Sequence, residues 1–278
     1  MDAAGFALLG ALSWGTGDFF GGLASRKTHV LTVLAISQAV GLVGVLGWAL
    51  ASGAAVPGAG DALPAAGAGA AGAVGLAALY RAMAVGAMGI VAPISALSPV
   101  VPLAVDAGRG IVPTGLQWTG IASALAGVVL LAREPTGAAR RGLAAGVSLA
   151  LVAALGFGLF VVGLDAASDG GATWAVAIAR ASSTALSVTA LLALRAPRRP
   201  PAALLPTIAA VGVFDTTANV LVAIATTRGS AGIVAVLSAL YPLATIALAR
   251  IFLSERLDRH RRVGGVLALG GAALVAVG

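Results

Sequence analysis

The chain has 278 residues, 59% hydrophobic and 10% charged, with a formal net charge of +7. Soluble domains carry roughly 45–50% apolar and about 25% charged residues, so this composition excludes a water-covered globule; together with a mean hydropathy of +1.03 it specifies an integral membrane protein. The absence of cysteine excludes disulfide and thiolate chemistry, the two histidines beside basic loops supply no zinc site, and the arginines fall between apolar runs, where membrane topology rather than nucleic acid accounts for them.

Apolar runs recur near the ~20 residues that a helix needs to cross a bilayer. They lack the two-residue alternation of a membrane barrel, so the spans are helical. Breaks at charged and Pro/Gly-rich stretches predict ten spans, near 3–24, 31–52, 65–84, 89–107, 117–132, 142–164, 172–194, 204–227, 230–251 and 263–278. The first run has no basic region before it and is followed by "SRKTH", which reads as a retained span rather than a cleaved signal. Between the fifth and sixth spans, "REPTGAARRG" (133–142) is the natural connector.

The second half repeats the first. "GIVAPISALSPVVPL" (89–103) returns as "GIVAVLSALYPLATI" (232–246) with Ser and Pro in register. "GALSWGTGDFFGGL" (10–23) aligns with "LVAALGFGLFVVGL" (151–164), and "AISQ" (35–38) with "AIAR" (177–180). The expected units are 1–137 and 138–278. Five spans per unit is an odd number, so the second unit enters the membrane from the opposite side, giving two inverted five-helix repeats around a central cavity, an architecture of alternating-access transporters. Loops after spans 1, 5, 7 and 9 hold Arg26, Lys27, Arg133, Arg140, Arg141, Arg195, Arg198, Arg199, Arg256, Arg259, Arg261 and Arg262, whereas loops after even spans hold Arg109 and Arg228. The positive-inside rule then places both termini outside the cytoplasm, in a multi-pass protein of the plasma (inner) membrane.

These features resemble the ten-helix EamA branch of the drug/metabolite transporters over essentially the whole chain. The resemblance rests on "ALSWG" (11–15), Arg180 in span 7, the S-x-L-x-P motif at Ser95–Pro99 and Ser238–Pro242, and the closing "LSERLDRHRRVGGVLALGG" (253–271). Two departures stand out. Gln38 occupies a position where the family often has Arg, and "GRGIVPTG" (108–115) lacks the Glu that the second half keeps as Glu255. The resemblance implies a carrier that exports or exchanges small metabolites or drugs, with no cofactor.

Ionisable groups inside the spans are chiefly Asp18, Arg81, Arg180 and Asp215. A charge within the bilayer is costly and is by default a functional-site candidate. Asp18 and Arg81 fall toward the same side of the membrane, where they either neutralise each other or act in the site. Arg180 is expected to hold an anionic substrate group through its planar fork, or to tie two helices together. Asp215 has three readings: a titrating coupling group, a salt-bridge partner of an arginine, or a substrate contact. Position alone does not require it to touch Arg180. Asn219 follows one turn later on the same face. Trp14, one turn before Asp18, and Tyr80 beside Arg81 suggest an aromatic wall. Gln38, Ser95, Ser238 and Tyr241 complete the candidate lining, and Pro93, Pro99 and Pro242 are candidate hinges where helix hydrogen bonds are lost. Trp48, Trp118 and Trp174 read as interfacial anchors, and "GAGAAGAVG" (67–75) as a close-packing helix face rather than a phosphate loop.

Taken together, the residues predict a secondary transporter of a small metabolite such as an amino acid, working by alternating access with proton or counter-substrate coupling, as a monomer or homodimer. A lipid-carrier or small-drug flippase of the same fold is the alternative, and a passive channel a more distant one. No Ser-His pair, His-Glu cluster or paired catalytic carboxylates within the spans point to an enzyme.

Overall fold

The structure, a computed structural model, describes residues 1–25, 27–85, 95, 97–132, 143–253 and 259–278. Among them the regular elements are helices: α1 (Ala3–Ser25), α2 (Val30–Ala51), α3 (Ala59–Val85), α4 (Val100–Gly108), α5 (Gly115–Ala132), α6 (Leu143–Ser168), α7 (Ala172–Ala193), α8 (Leu205–Thr226) after a 3₁₀ turn at Ala202–Leu204, α9 (Ala231–Ser238), α10 (Tyr241–Leu253) and α11 (Arg259–Val277). Hydrocarbon offers backbone groups no partner, so the apolar runs satisfy themselves as helices and stop where a polar side chain or a glycine takes over. His29 Nδ1 accepts the Leu31 N–H at 3.2 Å to start α2. Gly53, at a φ of +66°, ends it in the left-handed geometry that a side chain would resist.

The ninth expected span is not continuous. Its helix ends at Ser238, Ala239 and Leu240 form a turn, and a new helix begins at Tyr241. Pro242 has no N–H to donate to the Ser238 carbonyl, so the ladder fails where the motif places the proline. In the first copy, residues 97–99 form a turn, the Ser98 N–H closes onto the Ser95 carbonyl at 3.2 Å, and α4 starts at Val100. Pro93, Glu255 and the connector 133–142 lie outside the described residues.

Packing follows the repeat. The α1–α8 contact has its counterpart in α6–α3, and α2–α8 in α7–α3; α2 meets its own repeat partner α7, and α5 meets α11. Exchanging the halves therefore maps these contacts onto one another. Glycines set the crossings. A side chain at Gly69 would strike the Ala179 carbonyl, one at Gly156 would lie 2.7 Å from the Ala71 carbonyl oxygen, and one at Gly120 would lie 2.7 Å from that of Gly271. Small residues let membrane helices approach this closely.

Three ties fasten the end that carries the loops after even-numbered spans. Asp106 of α4, buried, accepts the Gly232 N–H of α9 at 2.6 Å, joining the halves at a helix start. Arg109 pairs with Asp165 at 3.1 Å. Trp174 donates its indole N–H to the Ala54 carbonyl at 3.0 Å. That residue is buried, which corrects its reading as an interfacial anchor; Trp48 and Trp118 are exposed.

Five helical stretches among the described residues are long and apolar enough to cross a membrane: 30–51, 59–79, 146–168, 172–193 and 202–226; shorter apolar helices cover 115–130, 231–245 and 262–277. Large apolar side chains such as Val43, Leu63, Leu151, Phe252 and Val266 stand exposed on the outside. In water such a surface would be an association site, but against acyl chains it is the solvent-facing surface. The protein is a multi-pass membrane protein.

Candidate functional site

A cavity of about 150 Å³ lies between the halves, and its wall draws on α1, α2, α3, α6, α7, α8 and α9 together with Tyr241. The polar side comes from four helices: Trp14 and Asp18 on α1, Gln38 on α2, Arg180 and Ser183 on α7, Asp215 and Asn219 on α8. The apolar lining is mainly Gly69, Gly72, Ala73, Leu76 and Leu79 of α3 and Phe157, Gly158, Phe160 and Val161 of α6. Polar and apolar lining thus come largely from different helices, because α3, the first-copy counterpart of α8, carries glycine and leucine where α8 carries its polar groups.

Arg180 sits at the centre of the polar wall. Its Nη1 donates to Gln38 Oε1 and its Nη2 to Asp215 Oδ2. Ser183, one turn on, donates to the same Gln38 oxygen at 2.9 Å. The guanidinium is almost fully enclosed, its side chain 3% exposed against 31% for Asp215. Burying an arginine demands a counter-charge and acceptors, and here α2 and α8 supply them. Of the readings open for Asp215, the structure shows the salt bridge, and it brings together two residues whose positions did not require contact. Arg180 is a tie between helices as well as a wall residue, but through side chains rather than a backbone carbonyl.

Trp14 donates its indole N–H to Asn219 Oδ1 at 2.9 Å, locking α1 to α8 and fixing the ring at the cavity edge. Its centroid lies 6.4 Å from that of Phe160 on the opposite wall, tilted by 57°. Ser13 donates to the Phe214 carbonyl at 2.7 Å along the same seam. Ser238, at the helix break, is buried in the cavity wall with a hydroxyl that has no hydrogen-bond partner among the described residues.

Eight candidates from the sequence therefore meet in one place: Trp14, Asp18, Gln38, Arg180, Asp215, Asn219, Ser238 and Tyr241. Others do not. Arg81 is exposed and forms no ion pair with Asp18, correcting the proposed neutralising pair. It is not among the residues that line the cavity. Ser95 is buried but is not a wall residue. The Tyr80 and Pro242 side chains lie outside the described residues, although both positions are helical. Sequence reasoning missed Phe160, Phe157, Ser98 and Ser183. Two signals were present: Gly158 and Phe160 repeat Gly17 and Phe19, and Ser183 follows Arg180 by one turn.

The family model for EamA-like transporters matches twice, over residues 2–133 and 144–277. A crystal structure of another protein, 19% identical, is similar in fold with a TM-score of 0.80 over 99% of this chain and 96% of that one. A search of curated proteins returned no match. With both halves matched by one family model, the chain belongs to the EamA-like transporter family, a family of drug and metabolite transporters.

Proposed function

We propose that the protein is a secondary transporter that moves a small amphipathic metabolite, amino acids being one such class, outward or in exchange across the plasma membrane by alternating access. The observation that carries this reading is a cavity lined by residues of both halves, in which the charged and amide groups come from α1, α2, α7 and α8 and most of the apolar lining from α3 and α6. A solute with a polar group and an apolar body matches both kinds of lining, and water or a bare ion matches only one. The two expected units, 1–137 and 138–278, would supply ten spans in opposite orientations, with both termini outside; the family matches over 2–133 and 144–277 support a division into two units. In that orientation the Asp106, Arg109 and Trp174 ties lie at the outer end, which supports reading this conformer as closed to the outside. The break after Ser238 gives span 9 a place to bend without unravelling the helices on either side.

The test is flux in liposomes containing the purified protein. Amino acids, amines, sugars and nucleosides are offered outside vesicles preloaded with the same compound. Saturable uptake accelerated by the internal load supports a carrier; flux that rises linearly and ignores the load contradicts it.

A further inference from the structure

The proposed cavity has an unbalanced charge. Among its wall residues there are one cation and two carboxylates, Arg180, Asp215 and Asp18. Arg180 and Asp215 are bonded to each other. Asp18 has no ion pair among the described residues, is exposed, and opens onto the cavity. A carboxylate that opens onto a cavity and has no cation of its own there gives the site a potential complementary to an incoming cation. Arg180 cannot serve an incoming anion without surrendering Asp215, and an anion would meet Asp18 as well. The earlier expectation that Arg180 holds an anionic substrate is therefore the weaker reading of this site.

We propose that the cavity recognises a small amphipathic amine, with Asp18 as the counter-ion of its ammonium group. This rests on the transport reading above and names its substrate class. Two further features fit an ammonium. The Ser238 hydroxyl is buried in the lining of the same cavity with no partner among the described residues, leaving an oxygen to accept an N–H. Trp14, Phe160 and Tyr241 stand around the site, and aromatic faces attract organic cations. Volume limits the body: about 150 Å³ is on the scale of a cavity that takes up benzene. A single ring or a short branched chain fits, and a polycyclic drug does not fit this conformer. A free amino acid carries a carboxylate that Arg180 is not free to receive, so an amine should bind better than the corresponding amino acid.

Three probes with one ring each separate the charges: phenethylamine, phenylalanine and phenylpropionate. Calorimetric titration of the full-length protein in detergent should give saturable binding of phenethylamine, weaker binding of phenylalanine and none of phenylpropionate. Asp18→Asn should weaken phenethylamine by roughly tenfold to a hundredfold, the scale of a lost charged hydrogen bond. Asp18→Glu should restore most of it. Preference for phenylpropionate, unchanged amine affinity in Asp18→Asn, or no binding of any probe to protein that elutes as a single folded species would overturn the proposal. If Asp18→Asn does not fold, the order of the three probes on the wild-type protein decides. Because titration needs no membrane, the two readings fail separately. Amine binding without flux in liposomes removes the transporter reading and leaves the ammonium site; flux of a carboxylate with no amine binding does the reverse.

Discussion

Arg180 and Gln38 occupy equivalent positions of the two repeats and are hydrogen-bonded to each other, with Asp215 completing the set around the guanidinium. When two halves are related by a two-fold axis, helices that pair with their own counterparts bring equivalent residues together on that axis. The α2–α7 contact does this for Gln38 and Arg180. The two equivalent positions carry different residues, and Asp215 supplies the counter-charge that the arginine needs.

Removing Asp215 should therefore cost more than removing the pair. Asp215→Asn leaves Arg180 buried without a counter-charge, at about 3 kcal/mol, the low end for a broken buried pair because Asp215 is 31% exposed. Arg180→Gln leaves Asp215 at the cavity edge and should cost less. The double variant should be more stable than Asp215→Asn alone, giving a coupling in a double-mutant cycle measured by melting in detergent. Strict additivity of the two losses would show that the pair does not form.

Helix crossing through glycine gives a paired test on α3. A side chain at Gly69 would meet the Ala179 backbone, which cannot move aside, while Gly67 has open space around it. Gly69→Ala should lower stability by about 1–3 kcal/mol, the usual cost of overpacking. Gly67→Ala should stay within about 0.5 kcal/mol of wild type. Equal melting temperatures for the two variants would place the α3–α7 crossing elsewhere.

Asp106 caps the start of α9 from the other half of the molecule. Asp106→Ala should cost about 1–2 kcal/mol, as lost N-terminal caps do. It should also loosen the outer end, so that a maleimide added from outside modifies a cysteine introduced at Ala235, a wall residue of α9, faster than in the Asp106 background. Unchanged labelling would show that the cap stabilises α9 without closing the cavity.

How much of this was legible in the sequence differs by residue. The repeated S-x-L-x-P motif marked two helix breaks, because a proline's missing N–H acts wherever it sits. Span lengths followed from apolar runs, with residues 172–194 and 204–227 expected and Ala172–Ala193 and Leu205–Thr226 found. The facing of each helix was less legible, since a helix apolar all round has no polar stripe to reveal its phase. Depth alone joined Asp18 to Arg81, although they belong to different surfaces. Trp174 looked like an anchor because it sits at a span start, but the α2–α3 loop folds over it and takes its N–H. The Arg180–Gln38 contact could have been read from the repeat, as a consequence of two-fold symmetry.

Orientation has its own check. A C-terminal reporter active only outside the cytoplasm should be active, and one active only in the cytoplasm silent, because the basic loops 195–199 and 26–27 belong on the inner side. The opposite pattern would invert the topology and turn the fastened end toward the cytoplasm.

The central claim is that one cavity is reached from the two sides of the membrane in turn. The chain has no cysteine, so a single Ala73→Cys in the cavity wall is the only thiol to follow. In oriented vesicles, an impermeant maleimide should label it from either side while the membrane conducts no ionic current. Labelling from one side alone, or from both with a steady conductance, would contradict alternating access.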